Sequence, residues 1–194
     1  MKKTIITSCI ALISFGAFAQ NEHSNHNMPS DAKQESMDSN KKVLSPHTSA
    51  MAMVGDAHVH IDYSSPSVRN RMVFGGLVGY NTVWQAGAHK ATWIETNKAL
   101  KINGKTLPAG KYGFFVIPGK EEWKVMFNSN WEQHGKDDYS EAQDVLVLNV
   151  KLNKLEEIQE SLTYKVENKQ NNKGVISLAW EKSQIEIPFV VVSE

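Results

Sequence analysis

Histidine, aspartate and arginine crowd into one short stretch, Asp56 to Arg71, which reads DAHVHIDYSSPSVRNR. His58, His60 and Asp62 occupy every second position. Residues two apart in an extended strand share a face, so two imidazoles and a carboxylate would stand side by side. Neutral imidazole is a borderline donor suited to Zn²⁺ or Cu²⁺, and His-x-His on a strand face is a spacing that can grip either. A third ligand is on offer in His89, within AGAHKAT, and a fourth in His134 or Asp138, within EQHGKDDY. The candidate metal residues are therefore His58, His60, His89 and His134, with Zn or Cu as the candidate cofactor. The competing expectation is that Val59, Ile61 and Tyr63, which alternate with these residues, already explain a strand with one buried face. The histidine face would then be merely solvated.

The same stretch holds Arg69 and Arg71, the only arginines in the chain. Every other cationic side chain is lysine, so arginine here suggests a use for its planar, permanently charged fork, which grips a carboxylate or phosphate two-pronged. The alternative is an internal pair with Asp62, Asp137 or Asp138 that locks the Ser/Pro turn. Trp84 and Trp131 lie in polar, loop-like segments, where an indole can stack on a sugar ring or an apolar ligand, or else simply pack. Alternation assigns Trp123 and Trp180 to the core. Tyr63, Arg69, Arg71 and Trp84 are the candidate ligand-binding residues.

Other chemistries find less support. The glycines of FGGLVGYN and WQAGAHKAT lack the G-x-x-x-x-G-K-[ST] spacing of a phosphate loop and read as tight turns at a sheet corner. No G-x-S-x-G elbow occurs. Ser64 or Ser65 with His60 and Asp62 would be an improvised triad of residues too close in one strand to converge. Whether the chain is an enzyme stays open, and no catalytic residue is named.

The elements that must position these residues begin after an N-terminal address. MKKTIITSCIALISFGAFAQ places two lysines before an apolar run that ends in Ala17-Phe18-Ala19, the pattern of a secretory signal peptide over 1–19, cut before Gln20. The alternative, lipidation at Cys9, leaves only Ile5 and Ile6 as the apolar residues before it. The run is too short to span a bilayer, which takes about 20 apolar residues. Cleavage would remove Cys9, the only cysteine, so a periplasmic or secreted protein would have no disulfide to lean on. Residues 20–42 are polar, almost without large apolar side chains, and read as a disordered leader. His23, His26 and Met28 within it could hold copper or nickel loosely, or the segment is only a tether. With 21 basic and 21 acidic residues, nothing in the net charge favours nucleic acid or a membrane surface.

From 43 to 194 the sequence predicts a single domain rich in strands. AHVHIDY alternates, and so does EEWKVMFN, with Trp123, Val125 and Phe127 on one face. Asn103-Gly104 suits a type I′ hairpin turn and Pro108-Ala109-Gly110 a second turn. SLTYKVEN, VISLAWEK and SQIEIPFVVV supply further hairpins, and Pro188 suggests an edge or a bulge. Helix is expected only as a short turn in DYSEAQDV, with Ser140 as N-cap, and in NKLEEIQ. The fold class is all-β, an antiparallel β-sandwich or flattened barrel with one or two short helices.

YSSPSVRNRMVFGGLVGYNTVWQAGAHKAT, INGKTLPAGKYGFFVIPGKEEWKVMFN and DDYSEAQDVL together resemble the family catalogued as domain of unknown function 2911. The markers are Ser45-Pro46, the turn Y-S-x-P-x-x-x-x-R from Tyr63 to Arg71, G-G-L-V at Gly75 to Val78, V-W-x-x-G-A at Val83 to Ala88, and L-P-A-G-x-Y at Leu107 to Tyr112. The resemblance implies an exported bacterial β-rich domain and no assigned activity. The expected function is binding of a small ligand or a protein partner at the Tyr63 to Arg71 turn, with WQAGAHKAT and EQHGKDDY at the same end. The alternative is a metal-binding protein or metal-dependent enzyme built on the four histidines.

Overall fold

The computed structural model describes residues 43–192; the expected signal peptide and the whole of the expected leader lie outside them. Ten strands follow in chain order: β1 (His47–Val54), β2 (Ala57–Ser64), β3 (Trp93–Thr96), β4 (Leu100–Ile102), β5 (Lys105–Leu107), β6 (Gly110–Ile117), β7 (Glu122–Asn128), β8 (Asp144–Lys151), β9 (Asn153–Asn168) and β10 (Lys173–Val191). They form a six-stranded sheet in the order β1-β2-β3-β6-β7-β8 and a four-stranded sheet in the order β5-β4-β10-β9. The pairings between these strands are antiparallel. The sheets remain separate, so the sandwich half of the expectation holds and the barrel half does not.

Alternation explains why these segments pair as they do. In β2, Val59, Ile61 and Tyr63 are buried while His58 is exposed and His60 and Asp62 are half-buried. In β7, Trp123, Val125 and Phe127 have no exposed surface and meet Phe114, Trp180 and Ile185 in one continuous core. Each such side chain contributes about 2 kcal/mol on leaving water. Asn103 and Gly104 both adopt positive φ, 47° and 77°, and turn β4 into β5 as their sequence predicts.

Three local expectations change, the first being that VISLAWEK and SQIEIPFVVV form no hairpin with each other but run on together in the single strand β10. NKLEEIQ is not helical; it forms the first half of β9, where Lys154 pairs with Ser183 and Gln159 with Glu181 of β10. Cross-strand hydrogen bonds override the helix propensity of Leu, Glu and Gln. The other candidate is a single 3-10 turn, Glu141–Gln143, and Ser140 before it makes no side-chain cap. Pro188 sits in β10 between the stretch paired with β9, which ends at Gln184, and the stretch paired with β4, which begins at Phe189. Its missing N–H therefore falls outside both registers. The bulges of β10 lie earlier, around Glu181.

The segment that matters for function joins β2 to β3. Residues 65–92 contain no strand of their own, and connections beyond about 12–15 residues are uncommon and usually functional. This one is pinned at both ends. Ser65 donates its backbone N–H to Pro46 and its hydroxyl to Leu162, and Val68 donates to Glu160. Trp84 exchanges both backbone hydrogen bonds with Val116 of β6. Val68, Val73, Phe74, Val78, Trp84 and Ala86 belong to the main core, so the loop is packed structure rather than a tether.

Candidate functional site

The turn at the start of this connection is held by one of its two arginines. Arg69 and Asn70 both take positive φ, 50° and 56°, which reverses the chain. Arg71 folds back, donating from Nε to the carbonyl of Val68 at 3.0 Å and from Nη2 to that of Ser67 at 2.7 Å. The carboxylate partners expected for the arginines are engaged elsewhere or absent from these contacts: Asp62 meets His47 at 2.9 Å, and Asp137 meets His134 at 3.5 Å. Arg69 is exposed, and only its backbone N–H is engaged, with Glu160 at 3.0 Å. Its guanidinium has no partner among the described residues.

Below the arginines the chain forms a tryptophan floor. Trp84 and Trp180 stack with ring centroids 5.6 Å apart and an interplanar angle of 26°, and the edge of Phe74 meets both. Trp84 donates its indole N–H to Gly87 at 3.0 Å, curling the 84–87 segment. Thr92 donates to Ala86 at 3.0 Å, and so does Tyr164 at 2.7 Å, from beneath. Burial of the Tyr164 hydroxyl pushes its pKa well above the usual 10. The phenol therefore stays a neutral donor to the loop.

Between turn and floor lies a cleft of about 410 Å³, lined by Arg69, Arg71, Gln85, His89, Lys136, Trp84 and Trp180 with small residues from Ser45, Gly79, Gly87 and Ala88. That volume falls within the range of small-molecule sites. Among the described residues, four basic side chains reach its wall and no aspartate or glutamate does. The indole N–H of Trp180 lacks an acceptor among the described residues, although the side chain is buried. Basic groups above an aromatic floor make a setting for an anion with a flat or apolar body.

The sequence-predicted residues divide over three places. Arg69, Arg71 and Trp84 of the ligand-binding set line the same cleft. Tyr63 does not line it; it is buried, 4.7 Å from Tyr164 in an edge-on contact, and its hydroxyl accepts the Tyr164 backbone N–H at 3.3 Å. The four histidines do not gather. His58 and His60 lie on the outer face of β2 with ring centroids 6.0 Å apart, and His60 packs edge-on against Trp93 at 5.0 Å. His89, at φ 62°, is at the cleft, and His134 lies on the neighbouring segment that bridges to Lys90. Among the described residues no three His, Cys, Asp or Glu side chains converge where they could hold a metal ion, so the four-histidine centre is not formed. Its physical obstacle is the fold: the pair on β2 faces outward from the six-stranded sheet, while His89 belongs to a loop that packs with the core.

Sequence reasoning passed over Lys136 and Gln85 and placed Trp180 only in the core. The first sits in EQHGKDDY, a segment assigned to this end of the molecule, but nothing local distinguishes Lys136 from the other lysines. Gly135 donates its backbone N–H to the His89 carbonyl at 2.8 Å, and this contact carries Lys136 to the cleft.

The profile of the family described as Protein of unknown function (DUF2911) matches residues 45–189. The chain belongs to that family. No curated protein and no solved structure gives a significant match. In this DUF2911 chain the markers around Pro66, Arg71, Val78, Trp84 and Gly87 come together on the walls of one cleft. The L-P-A-G-x-Y marker has a different task, since the Tyr112 hydroxyl donates to Pro108 at 3.1 Å and closes the β5–β6 turn.

Proposed function

We propose that this DUF2911 chain is a binding module that takes a small anionic ligand in the Arg69–Trp84 cleft, its carboxylate, phosphate or sulfate group held by the cationic wall and its body laid on the tryptophan floor. One observation carries the reading: among the described residues, four basic side chains and no carboxylate line a cleft of about 410 Å³, and the Arg69 guanidinium has no partner. An uncommitted guanidinium keeps its full fork for a ligand, whereas Arg71 has spent two N–H groups on the turn. The proposal is of binding, with no bond made or broken.

The amino-terminal pattern supports export, and we read the chain as periplasmic or secreted. Fractionation of expressing cells with sequencing of the mature amino terminus tests this, with Gln20 expected as the first residue. For the cleft, calorimetric titration with phosphate, sulfate, citrate and a uronic acid is the test. Saturable binding of at least one, weakened in Arg69→Ala, is expected. Failure of all four to bind, or equal affinity in the variant, rejects the cleft as an anion site.

A further inference from the structure

We propose that the outer face of the β1–β2 hairpin is a site for a soft monovalent metal ion, Cu(I) or its redox-inert analogue Ag(I), held by the thioethers of Met51 and Met53 and the imidazoles of His60 and His58. The site is separate from the anion cleft and uses two of the histidines with donors that a search for imidazole and carboxylate leaves out.

Register sets the geometry. Met51 lies directly opposite His60, and Met53 directly opposite His58. All four point away from the core, because Val59 and Ile61 on the other face of β2 are fully buried. Directly opposed residues have Cβ atoms about 4.5–5.5 Å apart and diagonal neighbours about 7–8 Å, so the four side chains stand at the corners of a small rectangle. The two imidazole centroids are 6.0 Å apart. A metal–nitrogen bond of about 2 Å to each ring spans such a gap with one ion between them. The long, three-torsion methionine side chains can close over it.

The composition of β1 is the wrong way round for a strand shaped by burial alone. Ala50 and Ala52 lie on its half-buried face, while Met51 and Met53 are 56% and 52% exposed. Methionine ordinarily fills gaps in a core. Here the larger apolar groups are turned to solvent beside two imidazoles. A second observation points the same way. Nε2 of His60 is shielded from solvent yet has no hydrogen-bond partner among the described residues. An unpartnered buried nitrogen is costly, and coordination of a metal would satisfy it.

Donor softness selects the ion. Thioether sulfur favours Cu(I) over the harder divalent ions, and imidazole accepts both. With no carboxylate or third imidazole converging on the pair among the described residues, the face offers little to Zn²⁺. With two thioethers added it has the four donors a soft monovalent ion accepts.

The test uses the full chain with Cys9, His23, His26, Met28 and Met37 replaced by alanine, so that neither the thiol nor the leader's donors contribute. Ag(I) is titrated calorimetrically, and Cu(I) anaerobically against a chromophoric chelator. One ion per chain is expected. Met51→Leu with Met53→Leu, which keeps the apolar bulk of exposed positions, should weaken it at least about tenfold with an unchanged melting temperature. His60→Gln should weaken it as well, and the methyl resonances of Met51 and Met53 should shift on adding Ag(I). Absence of saturable binding, unchanged affinity in the double-leucine chain, or tighter binding of Zn²⁺ than of Ag(I) overturns the proposal.

Discussion

Arg71 reaches back three residues and donates from Nε to the carbonyl of Val68 at 3.0 Å, while Arg69, two positions earlier, leaves its guanidinium unengaged among the described residues. Arg71 is thus committed to the turn, and Arg69 is the one the proposed binding would use. Arg71→Ala removes charge-assisted hydrogen bonds to two turn carbonyls and is expected to cost about 1 kcal/mol, the low end for such bonds because the side chain is exposed. Arg69→Ala should leave stability within about 0.5 kcal/mol. Urea denaturation midpoints of the two variants check this; equal losses would mean that Arg69 also braces the turn.

Gly87 carries the cleft wall past Thr92 with no room for a side chain. A Cβ there would stand 2.6 Å from Thr92 Oγ1, and that hydroxyl is buried and donating to Ala86. It cannot swing aside without giving up that hydrogen bond and leaving Tyr164 as the one donor described on the Ala86 carbonyl. Gly87→Ala is therefore expected to cost about 1–3 kcal/mol by overpacking. Thr92→Ala in the same chain removes the clashing oxygen, so the two substitutions together should cost less than the sum of their separate effects. A thermodynamic cycle from thermal melts measures that coupling, and simple additivity would dismiss the steric account.

These relationships show what was legible in the sequence. Val59, Ile61 and Tyr63 announced β2 because alternation is local, and Asn103-Gly104 announced its turn because only a few residues accept positive φ at both positions. Arg69, Arg71 and Trp84 were found as a group because unusual residue types marked them. Tyr63 was misplaced because its hydroxyl serves a strand about a hundred residues away, at Tyr164. Lys136 was missed for the same reason, since the Gly135–His89 contact that delivers it is long-range. NKLEEIQ has helix formers in it, and only its pairing with β10 makes it a strand. Local pattern decides elements; the cleft is made by contacts between segments far apart in the chain.

Tyr164 connects stability to alkaline pH. Its hydroxyl donates to Ala86 at 2.7 Å, and burial raises its pKa well above the ordinary 10. Above that value the unfolded chain releases the phenolic proton and the folded chain keeps it. Folded protein then binds more protons, so stability is whole below pH 10 and falls as pH rises beyond it, by about 1.4 kcal/mol per pH unit for one such group. Tyr112 and Tyr139 are also raised, chiefly by burial, and add to the fall. Tyr164→Phe should cost about 1 kcal/mol at neutral pH through the lost hydrogen bond and should flatten part of the alkaline limb. Denaturation midpoints from pH 8 to 11 test it; an unchanged limb would place the alkaline loss elsewhere.

Lys111 is held between two indoles on the outer face of the six-stranded sheet, its Nζ 3.5 Å from the ring centroid of Trp93 and 3.8 Å from that of Trp131. Gly113 permits this arrangement, because a Cβ there would come within 3.3 Å of Trp131 Cα and push the 130–131 segment off β6. The three side chains are half-buried, so the ammonium keeps part of its hydration and the pair of contacts is worth about 1 kcal/mol. Lys111→Met preserves the stem's packing and removes only the charge. It should lose that amount and shift the indole emission, while Lys111→Arg, whose guanidinium stacks on aromatic faces, should lose less. If the methionine chain were as stable as the parent, hydrophobic contact of the stem alone would hold Trp131 against the sheet, and the ammonium would be there only to reach water.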